Sequence, residues 1–424
     1  MSRYFRRALW HACLLCCTSP AWAVTLPAPE PPHPLGMLTL GDAVAAALRG
    51  HPDLEVMAWE RRAAEARRLQ AGLRPNPELI ATLENGPGTG EHRGLSQLET
   101  TIQLALPLEP GARRDARLGI SGAELAGVDA REVLLRLDVA ATTSRMFIDV
   151  VEQQQNLKLA GQAVQDAEAM LEAVRRRVRA GAASELEINR AAVALERSRL
   201  QEEHYEHLLL VQRRLLAAQW GEHEPAFEQA EADLLPLPGL PDGPALLAQL
   251  RLSPDFALYD VEGRLHQAQA AHAITQSRMQ PLVGIGLRRF EATDDVALLA
   301  TLTLPLPWRN RQQGAIAEAE ALSVRSEAAR AAAELTAEAA LFDLLQELKH
   351  AATVLERLDI ELIPQAERAQ SLLRQGYKSG RYTQLDWLDA RRTRLELEQE
   401  RLSTAADFHR FRVAVERMTA LSAP

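Results

Sequence analysis

Hydrophobic residues recur at helical spacing in the stretch "LTLGDAVAAALRGHPDLEVMAWERRAAEARRLQAG", which runs from Leu38 to Gly72. Pro52 interrupts this stretch, and Gly72 followed by "RPNP" is a helix-stop signal. The pattern therefore predicts a broken helix that ends at Gly72 and is followed by a change of structure.

A period of two follows this helix and recurs later in the chain. Apolar residues dominate the even-numbered positions from Leu98 to Leu108, and they occupy all of those from Val296 to Leu306. Each run follows a second strand-like segment, "PELIATLENG" or "PLVGIGLRRFEA". Each segment has roughly the ten residues that a tilted membrane-spanning strand needs. The sequence predicts two strand pairs, at about 77–108 and about 281–307.

Long helices follow both strand pairs. The helical pattern runs from Gly111 to a turn at Gly181, and again from Arg309 to a turn at Gly380. Each run would reach roughly 105 Å at 1.5 Å per residue, although Pro364 must break or kink the second. Beyond each glycine a helix of about 40 residues returns. The second returning helix has leucines every seven residues, which predicts a coiled-coil seam: Leu388, Leu395 and Leu402, with Leu385 beside them.

The whole arrangement is written twice. Similar segments lie about 200 residues apart and keep their order, as in "HPDLEVMAWERRAAEA" with "SPDFALYDVEGRLHQA" and "RAGAASELEINRA" with "KSGRYTQLDWLDA". We expect repeats at 38–220 and 245–424, joined by a proline- and glycine-rich linker at 221–244 with little structure of its own. A proline-rich run predicts an extended arm at 24–37.

Two aspartates follow the second glycine turn, one helical turn apart. The duplication aligns Asp386 with Glu187 and Asp389 with Arg190, so the acidic pair belongs to the second repeat alone. An arbitrary acidic pair at this spacing is usually a solvated helix face. A functional reading of the pair therefore needs further support.

The N-terminus carries an export signal. Arginines precede an apolar run of roughly a dozen residues, and Ala21-Trp22-Ala23 matches the small-residue cleavage pattern, so residues 1–23 are predicted to be removed. All three cysteines lie in this segment, which leaves the mature chain without a disulfide or a thiolate site. Lipidation at Cys16 or Cys17 stays open.

Charge and composition narrow the class of protein. The formal net charge is -9, and removal of the signal takes away three more arginines, so a nucleic-acid partner is not expected. Aromatic residues make up only 4%, as is typical of long helices. Because no apolar run of about 18 residues follows the signal, the four strands are the candidate membrane segments. Four strands cannot close a barrel, so other copies of the chain must complete it.

With "RPNPEL" before the first strand and "PLEPGARRDAR" after the second, the chain resembles the TolC-type outer-membrane efflux factors. Within that family it is similar to the CzcC-like branch, the outer-membrane components of heavy-metal RND efflux systems. The resemblance implies a mostly helical homotrimer with a twelve-stranded barrel in outer-membrane lipid and a periplasmic tunnel of long antiparallel coiled-coil helices. It also implies a periplasmic adaptor (membrane-fusion) protein and an inner-membrane RND pump as partners, with heavy-metal cations as the exported substrate.

The same resemblance suggests roles for residues near the two glycine turns. The tips that meet the adaptor would comprise Arg179, Gly181, Tyr377, Lys378, Gly380 and Arg381. Asp386 and Asp389 match the family's paired aspartates at the narrowest point of the tunnel, where they would act as pore gate and cation filter. Tyr382 stands where the family usually has an arginine, so an ionic latch of that kind is not implied.

Three other functions compete with a heavy-metal outlet: an enzyme, an outlet for other substrates and a soluble scaffold. The sequence has no phosphate-binding glycine loop, nucleophile elbow or zinc-protease motif, so no catalytic residue, cofactor or enzymatic activity is expected. The pair His204 and His207 lacks a nearby third ligand, and no metal site is predicted there. An outlet for drug efflux or type I secretion stays open, and a soluble periplasmic coiled-coil scaffold would leave the four strands unexplained.

Overall fold

The structure is a computed structural model that describes residues 36–420. The predicted signal peptide, its cysteines and most of the predicted arm lie outside these residues. The described part contains nine helices: α1 Leu40–Gly50, α2 Pro52–Ala71, α3 Gly111–Arg179, α4 Glu185–Ala218, α5 Gly243–Leu250, α6 Pro254–Gln276, α7 Gln313–Arg357, α8 Ile363–Lys378 and α9 Gln384–Thr419. It also contains six strands: β1 Gly36–Leu38, β2 Glu78–Glu84, β3 Glu99–Pro107, β4 Phe227–Ala230, β5 Leu282–Phe290 and β6 Asp295–Thr303.

The break between α1 and α2 occurs where the sequence predicts it. Thr39 caps α1 by accepting a hydrogen bond from the backbone N–H of Asp42 at 3.2 Å. His51 caps α2, and Pro52 occupies the start of that helix, where its missing N–H costs nothing. Among residues 36–420, no helix combines the length and the hydrophobicity that crossing a membrane requires.

A four-stranded antiparallel sheet joins the two repeats, which confirms the four predicted strands. Its order is β2-β3-β5-β6, so the central pair, β3 with β5, brings one strand of each repeat together. That pairing runs in unbroken register from Glu99 opposite Phe290 to Pro107 opposite Leu282. The outer strands β2 and β6 each have one edge without a partner within the described chain.

Two long helical hairpins extend from one end of this sheet. Helix α3 has 69 residues and no break, so it reaches about 100 Å. Its counterpart in the second repeat is α7 and α8, joined by a wide π-type turn at Leu358–Leu362. The turn lies just before Pro364, which cannot donate a backbone hydrogen bond, and it confirms the predicted kink. Helices α4 and α9 return with 34 and 36 residues.

The predicted linker is more ordered than the sequence suggests. Strand β4 pairs in parallel with β1, and Phe227 and Leu234 are buried in the core where α3, α4 and α9 meet. Regular secondary structure between 221 and 242 is limited to β4, and the segment is held in place by its packing on the core. Proline and glycine exclude a helix there, but they leave a short strand and buried apolar side chains possible.

The prediction of a leucine seam along α9 is only partly correct. Leu388 packs against a core cluster near the tips, whereas Leu385 is 53% exposed. The buried face of the first turns of α9 instead contains Gln384, Trp387 and Arg391. Leu395 and Leu402 are half-buried, so Leu385 is the one leucine of the predicted seam that is exposed.

Candidate functional site

The four-stranded sheet has two chemically different faces. One face is exposed and apolar except for Thr100 and Arg289 near one end. Alternate residues of all four strands form it: Leu79, Leu83, Ile102, Leu104, Leu106, Val283, Ile285, Leu287, Val296, Leu298 and Leu302. Leu79 at 74% and Leu298 at 72% exposure are typical of it. A soluble monomer rarely exposes an apolar surface of this extent, so this face needs a lipid or protein cover.

The opposite face of the sheet is polar. Arg288 of β5 bridges two neighbouring strands, with nitrogen–oxygen distances of 2.8 Å to Glu84 and 3.1 Å to Glu99. The Arg288 Nε also donates to the hydroxyl of Thr101 at 2.9 Å. Lipid-facing apolar residues that alternate with polar residues facing an interior are the pattern of a membrane strand.

The two helix tips have the same backbone geometry. Gly181 and Gly380 have φ angles of +68° and +76°, so the two predicted turns are present and are left-handed. At each tip the glycine N–H donates to a carbonyl three residues back, and the next N–H donates to a carbonyl five residues back. This is a Schellman turn, and a side chain at either glycine would be strained.

The side chains around these turns divide into exposed cations and a buried tyrosine. Arg179, Lys378 and Arg381 are exposed at the ends of the hairpins. Tyr377 differs from them, because it is only 2% exposed and packs beneath the surface of the tips. The family resemblance grouped it with the adaptor-docking residues of the tips, and its burial separates it from them.

Tyr377 ties the second tip to the first. Its hydroxyl donates to a carboxylate oxygen of Glu187 at 2.8 Å, and its ring lies 4.4 Å from the guanidinium of Arg177. Gln384 adds a bond from its amide to the Glu187 carbonyl at 2.7 Å. Burial, and then the adjacent Glu187, raise the pKa of Tyr377, so the hydroxyl remains a proton donor.

Sequence reasoning missed this contact. Tyr377 and Glu187 are 190 positions apart, and neither belongs to a motif that names the other. The duplication offered one signal, since it places Glu187 in the first repeat just past the first tip, where the second repeat carries Asp386. That alignment shows equivalent positions and not contacting ones.

Asp386 and Asp389 lie at the start of α9, where each already has a local partner. Asp386 forms a capping box with Thr383, whose hydroxyl donates to the Asp386 carboxylate at 2.7 Å. These hydrogen bonds from Thr383 lower the pKa of Asp386 and keep it ionised. Asp389 accepts a bond from Arg392 at 3.0 Å. Both carboxylates remain exposed.

The aspartates line a groove of about 1000 Å³ between α4 and α9. Arg190 and Arg197 of α4 line the same groove. The structure thus brings the predicted acidic pair close to the tips, facing a concave surface and not a flat one. The histidines His204 and His207 are exposed on α4, and the described residues contain no cluster of three or more potential metal ligands.

Comparison with known proteins agrees with this geometry. The family described as "Outer membrane efflux protein" matches residues 43–222. The cobalt-zinc-cadmium resistance protein CzcC of Cupriavidus metallidurans is 28% identical over 398 residues, covering 92% of this chain and 91% of that protein. The nickel and cobalt resistance protein CnrC of the same organism is 26% identical, covering 68% of this chain and 69% of its own.

A solved structure supports the fold independently. The crystal structure of CusC, a protein that forms a transmembrane channel, superimposes with a TM-score of 0.75 at 14% identity. The superposition covers 93% of this chain and 98% of that one. The family model, the sequence relatives and the fold agree: residues 43–222 match the outer membrane efflux protein family, and the chain is similar to CzcC over 92% of its length.

Proposed function

We propose that this outer-membrane efflux channel is a passive outlet for heavy-metal cations in a tripartite export system. An inner-membrane RND pump would supply the cations through a periplasmic adaptor, and three copies of the chain would form the outlet. The observation that carries this proposal is the four-stranded sheet, which is apolar on one face, polar on the other and open at both edges. The metal substrate is suggested by the names of CzcC and CnrC, both resistance proteins for divalent metals.

The helix tips are proposed to dock on the adaptor. Arg179, Lys378 and Arg381 are exposed at the ends of both hairpins, where they can meet acidic or polar groups of a partner. The Schellman turns at Gly181 and Gly380 hold these cations on two similar, rigid ends. Tyr377 is buried, so we assign it to holding the tips together and not to direct contact with the adaptor.

Asp386 and Asp389 are proposed to form the gate and cation filter. Three copies around one axis would bring six carboxylates together, and rings of carboxylates select cations in channels. The Thr383 cap favours the charged form of Asp386 within each chain. Such a ring would oppose anions, pass divalent cations and bind trivalent cations as blockers.

The bond between Tyr377 and Glu187 is proposed to hold the tips in the closed arrangement. It joins the end of α8 to the start of α4, so the second hairpin cannot swing away from the first while the bond persists. A hydrogen bond to a charged group contributes about 1.5–3 kcal/mol, enough to bias a two-state gate.

The first prediction concerns metal resistance and the tips. Deleting the gene should make cells sensitive to cobalt, zinc, cadmium or nickel, and the wild-type gene should restore growth. A copy with Gly181→Val and Gly380→Val should not restore it, because each valine disfavours the left-handed turn by about 1 kcal/mol or more. Growth is measured across a range of metal concentrations.

The matched control is Gly41→Val with Gly239→Val, two exposed glycines that have ordinary φ angles and open space around them. It should restore growth fully. Sensitivity of the deletion strain to hydrophobic drugs and not to metals would contradict the metal outlet. Full resistance with both tip valines would remove the tips from adaptor docking.

The second prediction concerns ion selectivity. In planar bilayers the wild-type channel should prefer cations and be blocked by trivalent ions. Asp386→Asn with Asp389→Asn should bring the cation-to-anion permeability ratio close to unity and abolish the block. Asparagine is chosen because its side-chain oxygen at position 386 can still accept the hydrogen bond from the Thr383 N–H, which alanine cannot.

Glu203→Gln with Glu206→Gln is the control for this measurement. These residues form an exposed acidic pair of the same spacing on α4. The control should leave selectivity unchanged. Wild-type selectivity and blocker affinity in the double asparagine variant would show that Asp386 and Asp389 are only a solvated, capped helix start.

The third prediction concerns the closed state. Tyr377→Phe removes one hydroxyl and leaves the ring packing intact, so it should raise the open probability in single-channel recordings by about tenfold or more. Tyr382→Phe is the matched control, because Tyr382 is exposed and its hydroxyl has no hydrogen-bond partner within residues 36–420. An unchanged open probability for Tyr377→Phe would rule out this bond as the lock.

A further inference from the structure

The segment between β6 and α7 exposes large apolar side chains in an unusual place. Leu304, Leu306 and Trp308 are 47%, 55% and 78% exposed. They follow directly after the apolar face of β6, where Leu298 and Leu302 are also exposed. The apolar surface of the sheet therefore continues past the end of the strand, into the connection to the helices.

This connection lies at the helical end of the sheet. The strand register places Thr303 of β6 opposite Leu282 of β5, the residue with which β5 begins after α6. Leu282 in turn pairs with Pro107, which leads into α3. Trp308 thus lies at the level where the chain passes from strands to helices, which is the border of the membrane on the helical side.

Two arginines in the same segment are free of protein partners. Arg309 and Arg311 are exposed, and neither side chain forms a hydrogen bond or an ion pair within the part of the chain that the structure describes. A guanidinium without a protein partner can donate two parallel hydrogen bonds to an anion such as phosphate.

The first repeat shows that this is not a general property of the connection. There the arginines at the start of α3 bind the protein itself: Arg113 donates to Gln280, Arg114 donates to the Gly72 carbonyl at 2.6 Å, and Arg117 pairs with Glu109. In that repeat the arginines tie the start of α3 to the segments that follow α2, β3 and α6. In the second repeat they are available to something outside the chain.

We propose that residues 304–311 are a phospholipid anchor. Arg309 and Arg311 bind the phosphate of a headgroup, the indole of Trp308 lies at the boundary between headgroups and acyl chains, and Leu304 and Leu306 contact the acyl chains. Tryptophan favours that boundary because its ring is apolar and its N–H is polar. The anchor rests on the proposed function, since it needs the sheet to lie in a membrane.

A lipid explains the segment better than free phosphate does. Inorganic phosphate would satisfy the two guanidinium groups and leave the indole of Trp308 and both leucines in water. A phospholipid covers the apolar and the cationic groups together, and its acyl chains continue along the apolar face of β6.

Tryptophan fluorescence in vesicles tests the position of Trp308. Phospholipid with bromine on the upper acyl chain should quench part of the emission of the reconstituted protein, and Trp308→Phe should remove that part. Trp59→Phe is the matched control, because Trp59 is an exposed tryptophan on α2, a helix away from the sheet. Its loss should leave the lipid-quenched part unchanged.

Native mass spectrometry of the detergent-extracted protein tests the arginines. Arg309→Gln with Arg311→Gln should weaken retention of phosphatidylglycerol by about fivefold for each arginine removed. Excess inorganic phosphate should not displace the lipid. Arg325→Gln with Arg368→Gln removes two other exposed arginines on α7 and α8 and should leave retention unchanged.

The following outcomes would contradict the anchor alone, or the anchor and the channel function together. If the protein floats with vesicles but Trp308→Phe keeps the full quenching, the anchor is wrong and the channel stands. If the glutamine pair retains lipid as the wild type does, or if inorganic phosphate competes fully, a phosphate-binding lipid anchor is excluded. If the protein does not float with vesicles, the channel function and the anchor fail together.

Discussion

A backbone group in the hydrocarbon of a membrane has no water to bond, so every strand there needs a neighbour on both sides. The sheet of this chain cannot meet that requirement alone, because β2 and β6 each leave one edge open. Its exposed apolar side chains also need a cover that excludes water, and the acyl chains of lipid can provide it. Further copies of the chain would supply the missing strand neighbours, and the long hairpins would then stand side by side around a common axis.

The two repeats share one architecture but differ at several residues to which we assign functions. Both repeats supply a strand pair, a long helix and a Schellman turn at a glycine, and these shared parts determine the architecture. The residues proposed for the gate, the lock and the lipid anchor lie where the repeats differ. Asp389 replaces an arginine at the equivalent position, Tyr377 meets a glutamate of the other repeat, and the arginines after β6 lack the partners that those after β3 have.

The strands and tips could be predicted from the sequence because they depend on local signals. A period of two identifies β3 and β6, and glycine marks the left-handed turn at each tip. The Thr383–Asp386 capping box is also a local signal, because its two residues are three positions apart. The pairing of β1 with β4 and the bond from Tyr377 to Glu187 were not, because both join segments about 190 residues apart in sequence.

Cross-linking between the open edges tests closure by other copies most directly. The native cysteines are Cys13, Cys16 and Cys17. Residues 36–420 therefore contain no native cysteine that could form a competing disulfide with an introduced pair. Ala81→Cys on β2 can be combined in turn with Leu298→Cys, Ala300→Cys or Leu302→Cys on β6. Oxidation should convert one of these variants into a species of three chains on a denaturing gel. Single chains for all three pairings, with every cysteine still reactive to a lipid-soluble thiol reagent, would contradict closure by neighbouring copies.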